Sequence, residues 1–247
     1  MTITTRFITT LVFSVALLQG CSTPPVNKTN DNLFKEGEQS FQKGNYEEAI
    51  VLWKKVKESY QSPELNTRAE LGIADAYFLN KDFIESAAAY EDFRKLHPSH
   101  PKAVFALYRQ AISHYNQIKS IDTDQTPVKN ALSTFESYLK LYPGGEQRAE
   151  VDAKIGECRD KQLQYEIYVG RFYLKTDAYK SAIGRFEEAL KSFPDQARRD
   201  EVLYYLGKAY LENNEKAKSR EIFERLSREF PTSTFASDAK KAMGSLF

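Results

Sequence analysis

Residues 165–194, YEIYVGRFYLKTDAYKSAIGRFEEALKSFP, decide the fold. They read as two amphipathic helices joined by a tight turn. Gly170 and Tyr173 share one face of the first helix, and Tyr179, Ala182, Phe186 and Ala189 follow at the three- and four-residue spacing of a helical stripe on the second. A residue without a side chain at Gly170 lets the second helix approach closely. Ala182 is expected opposite it, with Tyr173 and Phe186 filling the space around the contact. Pro194 closes the unit, because proline lacks an N–H and disfavours helix at the residue before it.

The same unit recurs along the chain, in the pattern of a tetratricopeptide repeat. In a first repeat from Leu33 to about Pro63, Gly37 is the small residue, Gly44-Asn45 the turn, and Tyr46, Ala49, Trp53 and Val56 the second stripe. A second repeat, residues 67–98, has Ala74 and Tyr77, a turn at Asn80-Lys81-Asp82, then Phe83, Ser86, Tyr90 and Phe93. In the third, six positions between the flanking stripes (Tyr77 to Phe83 in repeat two) become thirteen (Tyr115 to Val128) through the insertion SIDTDQTP. That insertion is expected to project from one edge. The spacing lengthens once more before the opening stretch: 51 positions separate Pro143 from Pro194, but 37 separate Pro194 from Pro231. The surplus carries Val151, Ile155, Cys158 and Gln162 at helical spacing and reads as one long helix running into repeat four. A fifth repeat has Leu206, Gly207 and Tyr210, the Asn213-Asn214 turn, Phe223 and Leu226. The tail from Thr232 reads as a capping helix. The fold class is therefore all-α: a tetratricopeptide-repeat solenoid of about five helix-turn-helix units plus a C-terminal cap.

Bulk properties agree with packed helices. Among 247 residues there are 16 Phe, 15 Tyr and one Trp, but only 11 Gly and 9 Pro. Basic and acidic residues nearly cancel, 35 against 34, with no polybasic block, which argues against nucleic acid and anionic lipid headgroups as the main partner. At the N-terminus Arg6 precedes an apolar run over residues 7–18 that is too short to span a membrane. Leu18-Gln19-Gly20-Cys21 follows and resembles the lipobox of bacterial lipoproteins. The expected organisation is a signal peptide over residues 1–20, a tether over 21–32 with acylated Cys21, an N-terminal half over 33–145, and the long helix with the C-terminal half over 146–247. Ser22, where Asp would signal inner-membrane retention, points to the outer membrane. Cys158 is then the sole remaining thiol and is expected to serve as a small buried hydrophobe.

First-helix residues beside the packing positions are expected to line the concave face. In repeats one and two these include Phe34, Phe41, Leu71, Phe78 and Leu79, an apolar groove suited to an extended peptide. In the C-terminal half Arg171, Lys175, Tyr204 and Lys208 form a more basic surface suited to a folded partner. No phosphate loop, HExxH, GxSxG or paired-cysteine motif occurs, so no catalytic residue, metal or cofactor is expected beyond lipid on Cys21. His97 and His100 lack a third ligand and read as a solvated turn. Asp122 and Asp124 in the insertion make a poor calcium site.

Together the lipobox, five repeats, the DTDQ insertion and the long helix entering QYEIYVGRFY resemble the BamD family of outer-membrane assembly lipoproteins. The resemblance implies a non-enzymatic scaffold at the periplasmic face of the outer membrane. Its implied partners are the periplasmic domains of a BamA-like barrel-forming subunit, unfolded outer-membrane proteins and accessory lipoproteins. Alternatives are a lipid-anchored assembly factor of a pilus or secretin system, a periplasmic division coordinator (which would lack Cys21), and, remotely, an envelope hydrolase.

Overall fold

A computed structural model describes residues 29–246 except 60, 61 and 196; the leader, Cys21 and most of the tether lie outside the described residues. The described chain forms eleven helices: α1 (Asn30–Gln42), α2 (Tyr46–Glu58), α3 (Pro63–Leu79), α4 (Phe83–Leu96), α5 (Ala103–Asn116), α6 (Thr126–Leu141), α7 (Arg148–Lys175), α8 (Tyr179–Ser192), α9 (Arg199–Glu212), α10 (Lys216–Glu229) and α11 (Thr234–Leu246). Each packs chiefly on its sequence neighbours, so the core is a run of clusters rather than one centre. The first helix starts at Asn30, three residues before the expected Leu33. Its cap is Thr29, whose hydroxyl accepts from Asn32 N. Repeat two likewise begins at Pro63, capped by Ser62, not at Thr67.

The turns of repeats one, two, four and five share one construction. Gly44, Lys81, Asp177 and Asn214 all sit at φ between 57° and 81°. The next residue donates its amide back five positions: Asn45 to Ser40, Asp82 to Tyr77, Ala178 to Tyr173 and Glu215 to Tyr210, at 2.8–2.9 Å. This left-handed helix ending reverses the chain in two residues. Repeat three has no such turn. Its insertion satisfies its polar groups internally: Asp124 accepts from the Thr126 amide and hydroxyl, Asp122 from Ser120, and Gln125 Nε2 donates to two loop carbonyls. These bonds hold both carboxyls below their ordinary range. Instead of projecting, the loop leans on α7, enclosing a small cavity with Lys161 and Gln164.

Within repeats one, four and five a glycine faces an aromatic ring sixteen residues on. A Cβ placed on Gly37, Gly170 or Gly207 would lie 2.6, 2.5 or 2.4 Å from the ring of Trp53, Phe186 or Phe223. The partner of Gly170 is thus the Phe186 ring, not Ala182. In repeat two the corresponding pair is Ala74 and Tyr90, both fully buried. Ser86, where the pattern has alanine, is buried with its hydroxyl 2.9 Å from that of Ser113, so the polar group is satisfied.

The long α7 belongs to two clusters. Val151, Ile155 and Cys158 pack against α5 and α6, while Leu163, Ile167 and Gly170 face α8 and α9. The buried position is Leu163 where Gln162 was expected. Burial pushes the Cys158 thiol up to about 11. Alkylation by iodoacetamide near pH 8 is therefore expected to be negligible in the folded protein and rapid in urea, as mass spectrometry would record.

The turn holding His97 and His100 keeps Pro98 and Ser99 exposed, but neither imidazole is fully solvated. His97 is half-buried on Phe93, with Nε2 2.6 Å from Glu70 Oε2, and His100 Nδ1 accepts from Lys102 N.

Candidate docking surfaces on the concave face

Most of the expected N-terminal groove is taken up by the chain itself. Phe34 is 5% exposed, tilted against Trp53 and covered by the Arg68 guanidinium at 4.4 Å, which Glu38 holds at 2.9 Å. Phe41 is half-buried between Tyr46 and Trp53. Leu71 packs beside Ala74, Tyr90 and Phe93. Phe78 meets Phe83 edge-on and carries Arg109 at 4.2 Å over its face. Leu79, at the helix end, is the one of the five that is substantially open to solvent. An open apolar channel of those five residues is therefore absent, because four of them fill contacts within and between repeats.

A polar feature that reading only one repeat at a time hides lies beside Phe78. The Arg109 guanidinium from repeat three spans Phe78 and Phe105, and its Nε is buried without a hydrogen-bond partner. Asp75 nearby accepts from the Tyr90 hydroxyl. Burial raises the Asp75 carboxyl above its usual range, partly opposed by that bond and by the Arg109 charge. A raised native pKa means the folded state holds the proton more tightly. The stabilising contribution is complete below the ordinary carboxylate range and is lost as pH rises through the raised value. Asp75→Asn keeps an acceptor for Tyr90 and removes the titration. Its stability relative to the parent is expected to improve between pH 4 and pH 7 in urea titrations.

The C-terminal surface is assembled as a site. Arg171, Lys175 and Lys208 converge on a concavity of about 380 Å³ that is also lined by Leu174, Tyr205 and Glu212. Arg171 lies 5.0 Å over Tyr205 and 4.0 Å from Glu201. Tyr205 is stacked on buried Phe186, which fixes the ring that receives the guanidinium. Tyr204 lies outside this lining, although Lys208 Nζ sits 5.8 Å over its ring. It packs on Phe223 and Phe235 and holds α11 in place. Beside the concavity α7 exposes Tyr168 (45%) and Phe172 (55%), one turn apart. Neither was singled out from sequence. Cations supported on an aromatic floor, with exposed rings alongside, suit an acidic and partly apolar protein surface.

These features define a class: an all-helical repeat protein. Among the described residues no helix is long and apolar enough to cross a membrane. The chain belongs to the YfiO family of outer membrane lipoproteins, whose model matches residues 26–222. It is similar to the outer membrane protein assembly factor BamD of Caulobacter vibrioides, 28% identical over 179 residues, covering 72% of this chain and 59% of that protein. The match thus spans less than two thirds of the Caulobacter relative. The BamD of Neisseria gonorrhoeae is 25% identical over 243 residues, covering 93% and 91%. Among solved structures the TPR2AB domain of yeast Sti1 is 12% identical with a TM-score of 0.44, covering 87% and 84%.

Proposed function

We propose that this chain is a non-catalytic scaffold subunit for assembly of β-barrel proteins into the outer membrane, held at the periplasmic face by lipid on Cys21. The match of residues 26–222 to the family of outer membrane lipoproteins carries this reading. Full-length similarity to a protein named as an outer membrane assembly factor supports the process. In this reading the Arg171–Lys175–Lys208 surface docks the periplasmic domains of the barrel-forming subunit. The N-terminal half, where Leu79 is exposed next to the Phe78–Arg109 pair, receives unfolded substrate. Accessory lipoproteins are further candidates for the remaining surface.

The test is affinity purification of the tagged chain from detergent-solubilised outer membranes, followed by mass spectrometry. A barrel-forming subunit with periplasmic domains is the expected companion, and acyl mass on the N-terminal peptide is expected at Cys21. Recovery of a secretin or pilus component in its place would overturn the assignment.

A further inference from the structure

We infer that one edge of the solenoid, formed by the helix ends of repeats two and three, rests on the phospholipid surface that carries the anchor. This rests on the proposed acylation of Cys21. Short connections make successive helices antiparallel, so the start of α1 shares an edge with the ends of α2, α4 and α6. Direct contacts mark that edge: the Asn30 amide donates to Ser59 at the end of α2, and Arg148 at the start of α7 donates to Pro143 O after α6.

On this edge Leu96 is 63% exposed and Leu141 is 55% exposed. They occupy the same place in their repeats, in Lys95-Leu96-His97-Pro98 and Lys140-Leu141-Tyr142-Pro143. Both lysines and both prolines are exposed as well. Between the two loops lies a concavity of about 460 Å³ lined by Pro98, Pro101, Val104, Tyr142 and Gly144, with no carboxylate in its lining. Lys102 adds a further exposed cation; of the nearby acids, Glu91 is bound to Lys95 at 2.5 Å, and Asp92, which also faces Lys95, and Glu146 are exposed. The equivalent positions in repeats four and five are polar and occupied. Ser192 donates to Glu188, and Glu229 pairs with Arg225. Among the described residues of this edge the exposed leucines are therefore confined to repeats two and three, in the half that follows the tether.

Tether length selects the occupant. Eight residue steps join Cys21 to Thr29 on this same edge, a reach of at most about 28 Å when fully extended. A leucine at each loop enters the headgroup and acyl boundary, while the lysines stay among the phosphates, as in other interfacial contacts that supplement an acyl chain.

An environment-sensitive dye on Leu96→Cys, Leu141→Cys or Glu229→Cys reads this directly, because Cys158 is buried and does not react. The acylated full-length proteins are reconstituted into vesicles of three parts phosphatidylethanolamine to one part phosphatidylglycerol, with and without a lipid-borne quencher at headgroup depth. Emission at positions 96 and 141 is expected to fall by about half, and at 229 to stay within about a tenth of its starting value. Vesicle flotation with equal quenching at all three positions, or with none, overturns the proposal and leaves the anchor standing. Protein that fails to float removes the anchor and this proposal with it.

Discussion

Phe186→Ala is expected to cost about 3–5 kcal/mol, the range for deleting a fully buried aromatic side chain. The ring is 0% exposed, stacks on Tyr205 at 6.0 Å and touches the α7 backbone at Gly170. Its loss opens a void between α7, α8 and α9 that rigid helices cannot close. Because a solenoid is stabilised by neighbour contacts, amide exchange should accelerate most in α7–α9 and least in α1–α4. Gly170→Ala tests the same contact from the other side. The added methyl would lie 2.5 Å from Phe186 Cε1 and Cζ. Overpacking of about 1–3 kcal/mol outweighs a helix-propensity gain of about 1 kcal/mol. In a Phe186→Leu background those two ring atoms are absent, so Gly170→Ala should become neutral or stabilising. Urea titrations of the four proteins read this as a coupling energy. Simple additivity would show that the glycine is not there for the ring.

The hairpins were legible because their punctuation is chemical. Residues able to sit at positive φ fall at Gly44, Lys81, Asp177 and Asn214, and small residues recur sixteen positions before a large ring. The long α7 was legible as an unbroken stripe between two prolines. The groove was misread for a geometrical reason. Phe34, Leu71, Ile167 and Tyr204 each lie three residues before the small residue of their helix, which places them close to its packing face. Accordingly Phe34 and Ile167 are buried, and Tyr204 clamps the cap. On α7 the residues two before and two after Gly170, Tyr168 and Phe172, are exposed, but the same offset elsewhere holds fully buried Ala76 and Ala209, and Tyr205 packs on Phe186, so no fixed count marks the outward positions. No count within one repeat reveals that Arg109 covers Phe78, since that contact joins neighbouring repeats. The insertion was misplaced because composition signals a loop but not the surface on which it settles.

Arg171→Glu combined with Lys208→Glu is expected to weaken capture of the partner's periplasmic domains by about thirtyfold or more, the effect of reversing charges that meet complementary groups across an interface. Both side chains edge the same concavity, and Arg171 is 56% exposed, so global stability should move little. Asp177 accepts from the Tyr179 hydroxyl but keeps its charge, so Asp177 and Glu212 are both lining acids beside Arg171, Lys175 and Lys208, and Glu201 lies 4.0 Å from Arg171. Affinity of the parent should fall as salt rises, whereas that of the double variant should be nearly flat, because the screened attraction is already gone. Lys43→Glu combined with Lys55→Glu, two reversals at exposed lysines on the opposite half of the chain, matches the change in net charge and should leave docking intact. If the double variant binds as the parent does, the cationic concavity is not the dock. Phe172→Ala then becomes the decisive substitution, since Tyr168 and Phe172 are the exposed aromatic pair on α7 that would still present an apolar anchor.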